Sequence, residues 1–225
     1  MQYTTTDKVS GATRCRSRDE AEKKGGKADK MTDAQKDVQE LNEGKIDFAE
    51  FRHRQYIRTK NNVLPLLLEA YKNKSWEEFI TISLTRYEVM PEAFQLYGEV
   101  PDNMKYNFAV SAYQHHGDSI PAVRKAVRSA RKYGAPSFPE YLEGVEVFTV
   151  YRAGEEPKDK TKYRISWTLD KETALFFLNE YGNRHASHLY RAKIRREDVI
   201  AYTNERKEAE IMQYCKVYDI EEIKA

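Results

Sequence analysis

Polar residues interrupt three strand-like segments in the last third of the chain. Arg152 ends the first segment, Ser166 and Thr168 lie two residues apart in the second, and Glu208 and Glu210 enter the third. Alternate residues of a strand share a face, so each of these pairs points into one space. One guanidinium, two hydroxyls and two carboxylates could therefore line a single cleft. In such a cleft the guanidinium would suit phosphate, and a carboxylate would stabilise positive charge.

The order of these groups resembles that of a known enzyme family. The chain has Tyr-Arg-Ala-Gly at 151–154, Ser-Trp-Thr at 166–168 ahead of an Ala- and Phe-bearing segment, and Glu-Ala-Glu at 208–210 ahead of an apolar strand. This order resembles the Arg, Ser-Thr-Ser and Glu-x-Glu motifs of mono-ADP-ribosyltransferases, over roughly residues 145–214. Bacteriophage and bacterial-toxin members of that family similarly place a helical segment before the first motif.

The resemblance implies a role for each group, with NAD⁺ as the substrate. Glu210 would stabilise the oxocarbenium-like cation that forms when the nicotinamide–ribose bond breaks. Arg152 would bind the phosphates of NAD⁺, Ser166 would hold the glutamate or the ribose, and Thr168 would buttress the nicotinamide end. Glu208 would orient or deprotonate the acceptor, a position that the family associates with arginine modification.

Two departures from the family pattern concern the shape of the pocket. Ala153 intervenes between the arginine and Gly154, and the bulky Trp167 occupies the middle of the serine motif. We expect Trp167 to contribute to cofactor binding with its neighbours. The part of the chain after Arg152 is short for a complete transferase core, so helices from the N-terminal half are expected to complete the wall of the cleft.

A basic segment is the second candidate for function. The segment between Pro121 and Pro139 has no acidic residue. It contains five cations: Arg124, Lys125, Arg128, Arg131 and Lys132. Arg124, Arg128 and Arg131 fall on one face of a helix. This face is either simply solvated or binds the acceptor, which would then be a nucleic acid or an acidic protein.

Several functional alternatives stay open at this stage. ADP-ribose would be transferred to a protein arginine or to a nucleic acid base, in a bacteriophage host-takeover factor or a toxin with a possible antitoxin partner. The alternative is a non-catalytic nucleic-acid-binding or host-interaction protein, in which Arg152 is an ordinary ion-pair residue and the glutamates belong to a solvated loop. A hydrolase with paired carboxylates is disfavoured, because Glu208 and Glu210 share one strand and cannot flank a scissile bond.

The elements that must position these groups indicate an α+β fold. Residues 1–30 are predicted to be a flexible tail because they contain almost nothing apolar. Residues 31–143 show helical spacing of apolar side chains, and residues 144–225 are predicted to form a β-rich catalytic core. We expect the helical region to pack on a small mixed sheet of ADP-ribosyltransferase type.

Local signals place the boundaries of individual elements. Ser75 and Glu78 have capping-box spacing, and Gly134 is expected to end a helix in the left-handed conformation. Asp170 is expected to cap a short helix that Gly182 stops. Strands are predicted at 145–151, 165–169, 188–194, 211–214 and 217–220.

Composition limits the remaining possibilities. A net charge of +2 is too small to indicate nucleic acid by itself, and no window has the roughly 18 apolar residues of a membrane span. Without a signal-peptide-like N-terminus we expect a cytoplasmic protein that has no membrane partner. Cys15 and Cys215 suggest neither a disulfide framework nor a zinc site, and no metal is expected.

Overall fold

The computed structural model describes residues 31–179 and 187–224. The predicted tail at 1–30 and the helix stop at Gly182 lie outside these residues. The chain divides into two compact units, Met1–Arg54 and Gln55–Ala225. In the first unit, Arg54 forms ion pairs with Asp37, Glu40 and Glu50.

The helical N-terminal region is confirmed. Its helices are α1 (Asp33–Asn42), α2 (Phe48–Lys72), α3 (Trp76–Thr85), α4 (Met90–Gln95), α5 (Asp102–His116) and α6 (Pro121–Ser129). Two further helices, α7 (Lys158–Thr161) and α8 (Lys171–Asn179), interrupt the strands that follow. The Asp170 cap is confirmed, since its carboxylate accepts hydrogen bonds from the Glu172 and Thr173 amides at 3.1 and 3.3 Å.

Two predicted helix signals are wrong. Ser75 precedes α3 but its side chain makes no capping hydrogen bond, because its backbone (φ −78°, ψ 71°) lies outside the extended region that N-caps adopt. Gly134 is not among the described glycines with positive φ. Instead, a Cβ at Gly134 would lie 2.6 Å from Cγ of Tyr106. Glycine is required there because the tyrosine ring passes against the backbone, and the Tyr106 hydroxyl donates to the Ile200 carbonyl at 2.9 Å.

The strands form one antiparallel sheet. They are β1 (Val147–Gly154), β2 (Ser166–Thr168), β3 (His188–Arg195), β4 (Val199–Thr203), β5 (Glu210–Gln213) and β6 (Tyr218–Ile223). Within the described residues the order across the sheet is β4-β5-β2-β1-β3-β6, and every pairing is antiparallel. The expectation of a mixed sheet is therefore wrong. The loop between β4 and β5 is a short hairpin, which only antiparallel strands can use.

Strand β4 was absent from the sequence-based prediction. Val199, Ile200 and Ala201 are all buried in succession, so the strand shows no alternation of apolar and polar residues. A short apolar run of this kind does not distinguish a strand from a buried helical segment. The structure places β4 at the edge of the sheet beside β5.

Two apolar clusters form the core of the second unit. One joins buried residues of α2–α6 to Ile165, Ile200, Ala201 and Met212 from the sheet. The other contains Ile211, the strand neighbour of Met212, together with further buried residues of the sheet and Leu142. Because neighbours in a strand face opposite ways, the helices cover one face of this part of the sheet.

None of the helices in the described part of the chain combines the length and the apolar character needed to cross a bilayer.

Candidate functional site

The three polar segments meet in one cleft. Tyr151 of β1 pairs with Thr168 of β2, and Thr168 pairs with Glu210 of β5, so the segments occupy neighbouring strands. The cleft has a volume of ≈ 240 Å³ and is lined by Tyr151, Arg152, Ala153, Ser166, Trp167, Thr168, Ala174, Phe177, Arg206, Glu208 and Glu210. All five residues that the sequence placed in a common cleft line it, and Trp167, which was expected to contribute to cofactor binding, adjoins it as well.

Glu210 is the most deeply buried carboxylate of the cleft. It is only 5% exposed, and burial raises the pKa of its carboxyl. A hydrogen bond from Ser166 and the nearby Arg206 oppose that rise in pKa. Among the described residues, Glu210 Oε2 has no hydrogen-bond partner, and Arg206 Nη2 lies 3.6 Å away. A buried carboxylate with one unused oxygen in a cleft is typical of a functional group.

The loop before β5 holds Glu208 in a conformation with a high backbone cost. Lys207 (φ 59°) and Ala209 (φ 42°) flank it, and both have the left-handed backbone that costs non-glycine residues about 1–2 kcal/mol. Two hydrogen bonds maintain this conformation: the Ala209 amide donates to the Asn204 side chain at 3.0 Å, and the Thr168 hydroxyl donates to the Glu208 carbonyl at 2.5 Å. The loop therefore presents the Glu208 carboxylate in a defined place.

Arg206 connects the two carboxylates. Its Nη2 lies 2.8 Å from Glu208 Oε2, whose side chain is 22% exposed. Its Nη1 donates to the Gln114 carbonyl of α5 at 3.3 Å. The sequence did not single out Arg206. Its four-residue spacing from Glu210 is typical of neighbours on a helix, whereas here a strained loop brings the two together.

Arg152 is fixed against the neighbouring strand. Its Nη1 donates to the Ser166 carbonyl at 2.6 Å. Burial lowers the pKa of the Arg152 guanidinium, while Tyr113, Asp118 and Glu210 act in the opposite direction. An arginine keeps its charge even in such surroundings, so the cleft contains a permanent cation opposite Glu210.

The expectation that N-terminal helices complete the wall of the cleft is not met among the described residues, because the lining comes from the strands, from α8 and from the loop before β5. Helix α5 lies close enough for Tyr113 to act on Arg152. Tyr113 of α5 is 4% exposed and donates to Asp118 Oδ1 at 3.4 Å. Asp118 Oδ2 accepts from Arg164 Nη1 at 2.6 Å, and Arg164 also pairs with Glu156. Burial raises the pKa of Tyr113, with Arg152 close enough to lower it. The sequence alone does not reveal this network, because its members are distant in the chain and no local pattern joins them.

Trp167 and Thr168 of the Ser-Trp-Thr segment contribute to the structure around the cleft. Trp167 is 1% exposed in the second apolar cluster, and its indole N–H donates to the Arg164 carbonyl at 3.0 Å. Alternation along β2 turns the indole away from the side of Ser166 and Thr168. The Thr168 hydroxyl is engaged by the Glu208 carbonyl and the Asp170 amide.

The three arginines of the basic segment lie outside the cleft. Arg128 donates to the carbonyls of Tyr163 and Tyr214 at 2.8 and 3.1 Å, so it connects α6 to two loops. Arg131 lies 5.7 Å from the ring centroid of Tyr214. Arg124 is exposed and lines a separate recess. Their predicted role in acceptor binding stays a prediction.

Comparison of the chain with protein-family models, with curated proteins and with solved structures found no match.

Proposed function

We propose that this protein is an NAD⁺-dependent ADP-ribosyltransferase, which breaks the nicotinamide–ribose bond and transfers ADP-ribose to a macromolecular acceptor. The observation that carries the proposal is the buried Glu210 carboxylate, which has an unused oxygen in a cleft that also contains Arg152. Ser166 and Thr168 complete the arrangement at neighbouring strand positions.

The proposed reaction needs charge stabilisation more than proton transfer in its first step. The bond between ribose C1′ and the nicotinamide nitrogen breaks, and its electron pair leaves with nicotinamide. The sugar becomes an oxocarbenium-like cation, which the Glu210 carboxylate stabilises in the transition state. Ser166 beside this carboxylate lowers its pKa and so favours its ionised form.

The second step joins C1′ to an acceptor. A nucleophile of the acceptor attacks C1′ and loses a proton, which Glu208 is positioned to accept because it is less buried than Glu210 and precedes it by two residues. If water attacks instead, the products are nicotinamide and ADP-ribose. Arg152 holds the NAD⁺ phosphates, a task that suits its planar fork of donors.

The volume of the cleft agrees with binding of part of the dinucleotide. Ligand pockets commonly measure about 300–1,000 Å³, and the ≈ 240 Å³ here lies just below that range. We propose that the cleft takes the nicotinamide and its ribose, while the rest of NAD⁺ extends from it.

A second candidate function is nucleic-acid binding without catalysis. The exposed cations of α6 favour it, because they lie outside the cleft and need none of its chemistry. The wider setting follows from the resemblance alone: a cytoplasmic bacteriophage host-takeover factor, or a toxin neutralised by an antitoxin.

Labelled NAD⁺ tests the proposal. The protein is incubated with cell lysate and NAD⁺ labelled in its adenylate part, with excess unlabelled ADP-ribose to suppress non-enzymatic attachment. We expect release of nicotinamide and label in the macromolecular fraction. Protease or nuclease treatment then identifies the acceptor class by removing the label. A Glu222→Gln variant, altered in β6 outside the cleft, is the matched control. If neither nicotinamide release nor labelling occurs with the wild type, the transferase proposal is wrong.

A further inference from the structure

The exposed side of α6 combines cations with tyrosine rings. Tyr163 and Tyr214 are 51% and 39% exposed although both are large aromatic residues. Lys162 lies 5.1 Å from the Tyr163 ring centroid, and Arg131 lies 5.7 Å from that of Tyr214. The two tyrosines are 51 positions apart in the sequence, so only the fold places them beside the same helix. We call this region, with Arg124 and Lys160, the basic tyrosine surface.

Arg128 organises the basic tyrosine surface. One guanidinium binds the backbone carbonyls of both Tyr163 and Tyr214, at 2.8 and 3.1 Å. The loops that carry the two rings are thereby fixed to α6. A surface that is already ordered loses less entropy when it binds a ligand.

A recess of ≈ 230 Å³ adjoins Tyr163 and has an excess of positive charge. Its lining includes Arg124 and Lys160, together with the carboxylates of Asp118 and Glu156. Both carboxylates pair with Arg164, at 2.6 Å in each case. Arg164 therefore offsets much of their negative charge, and the recess keeps the charge of Arg124 and Lys160 for an anionic ligand.

We propose that the basic tyrosine surface binds single-stranded nucleic acid. Unstacked bases would lie on the Tyr163 and Tyr214 rings, and backbone phosphates would contact Arg124 and Lys160. Stacking platforms between cations are how proteins hold single strands without reading a sequence. A duplex keeps its bases stacked inside and offers only its phosphates, so it would use the cations but not the rings. An acidic polypeptide would likewise offer no bases.

Fluorescence anisotropy with short labelled oligonucleotides tests this proposal in the absence of NAD⁺. Probes of about 15 nucleotides suit a site of this kind: oligo-dT, oligo-rU and a duplex of equal length, with poly-glutamate as a competitor. We expect both single strands to bind more tightly than the duplex. The probe that binds more tightly, oligo-dT or oligo-rU, then identifies DNA or RNA as the preferred ligand.

Paired variants separate stacking from charge. Tyr163→Ala with Tyr214→Ala should weaken single-strand binding at least tenfold, since stacking contributes about 1–3 kcal/mol per base. Arg124→Gln with Lys160→Gln should weaken it and lower the salt dependence by about 0.7 in log–log slope per lost phosphate contact. Tyr141→Ala and Arg195→Gln, exposed residues outside the surface, are the matched controls and should bind as wild type.

The results that overturn the proposal are distinct from those that overturn the transferase. Absence of oligonucleotide binding, equal affinity for duplex, displacement by poly-glutamate at equal charge, or no effect of the tyrosine pair in variants with unchanged circular dichroism would each reject it. Because the assay contains no NAD⁺, a protein that never releases nicotinamide can still show this binding. A transferase that modifies only proteins can equally lack it.

Discussion

Charged residues on the two sides of β1 are arranged in opposite ways. Beyond β3, toward the edge of the sheet, Arg191 pairs with Glu221 and Lys193 pairs with Asp219 across β3 and β6. All four side chains are about half exposed. On the other side, β2 and β5 carry the cleft together with Arg152 of β1. Glu210 is buried, Arg152 is half-buried, and the two lie close without a direct ion pair.

The two regions differ in the cost in stability that the chain tolerates. Exposed ion pairs exchange hydration for weak contacts and contribute little to the free energy of unfolding. Their loss therefore changes the stability of the protein little. A buried carboxylate without full hydrogen bonding destabilises the folded state. The chain has several glutamates that pair on the surface, yet it buries Glu210 with one oxygen unused. Such a cost is characteristic of functional sites.

Replacing Glu210 should have the largest effect on activity. Glu210→Gln keeps the shape but removes the charge that faces the oxocarbenium, so we expect nicotinamide release to fall about 10²–10³-fold. The measurement is the rate of nicotinamide release from NAD⁺ by the folded variant. Glu221→Gln, at the exposed edge, is the control and should retain the wild-type rate. Activity within a few-fold of wild type would remove Glu210 from the proposed mechanism.

Replacing Glu208 should separate transfer from hydrolysis. Glu208→Gln removes the proposed proton acceptor, so transfer to a protein arginine should fall about 10²-fold. Hydrolysis of NAD⁺ should fall less, because water needs less orientation by this group. Both reactions are measured side by side in one preparation. Equal losses in the two would assign Glu208 to the bond-breaking step or to the structure of the loop.

Arg152→Lys tests the guanidinium with its charge retained. An ammonium cannot form the fork of parallel hydrogen bonds, so the affinity for NAD⁺ should fall about tenfold. Isothermal titration measures it, with Arg191→Lys at the exposed edge as the matched control. An unchanged affinity would make Arg152 a purely structural residue that holds the Ser166 carbonyl.

The pH dependence of stability should distinguish Glu210 from an exposed glutamate. Burial raises the pKa of Glu210 above its ordinary value of 4.5, so the folded protein binds this proton more tightly than the unfolded chain does. Its ionised form therefore lowers the free energy of unfolding above the folded-state pKa, and this penalty disappears as the pH falls below 4.5. A rise of one unit in a pKa corresponds to about 1.4 kcal/mol.

Urea unfolding of wild type and Glu210→Gln at several pH values measures this effect. We expect the variant to be the more stable protein near neutral pH and the two to converge in acid. A wild type that gains stability over the variant as the pH rises would show a lowered pKa instead. The raised pKa should also affect the activity of the wild type. As the pH is lowered, the rate should begin to fall at a higher pH than the ordinary pKa of a glutamate would give.

The smallest effect is expected at the exposed edge. A double-mutant cycle of Arg191→Ala and Glu221→Ala should give a coupling free energy of about 0.2–1 kcal/mol, which decreases further in high salt. Thermal or urea unfolding measures it. A coupling of several kcal/mol would mean that this edge is not the simple solvated pairing that its exposure indicates.

The cleft was easier to predict from the sequence than the sheet around it. Alternation put Ser166 with Thr168 and Glu208 with Glu210, and the structure places these residues and Arg152 around one cleft. The strand expected at Glu208 is absent, because β5 begins at Glu210 and the left-handed backbone of Lys207 and Ala209 brings Glu208 to the cleft from a loop. The antiparallel pairing depends on which strands are neighbours, and local periodicity does not contain that information. Strand β4 lacked any alternation because all of its first three residues are buried.

Contacts between distant residues explain the other differences. Gly134 has the position of a helix stop, yet its role is set by Tyr106, a residue of another helix. Arg128 was expected either to be solvated or to bind the acceptor, whereas its guanidinium binds two carbonyls of loops that follow in the sequence. Such roles follow from the tertiary fold, which spacing along one element does not specify.

The shared core of helices and sheet also imposes an order of events during synthesis. The helices leave the ribosome first, but part of the apolar surface they bury is covered by Ile200, Ala201 and Met212. The Tyr106 hydroxyl cannot form its hydrogen bond until the Ile200 carbonyl, 94 residues further along the chain, has been synthesised. At about 5–20 residues per second, that interval lasts roughly 5–20 seconds. Throughout it the nascent helices expose apolar side chains that a chaperone or a neighbouring chain can bind.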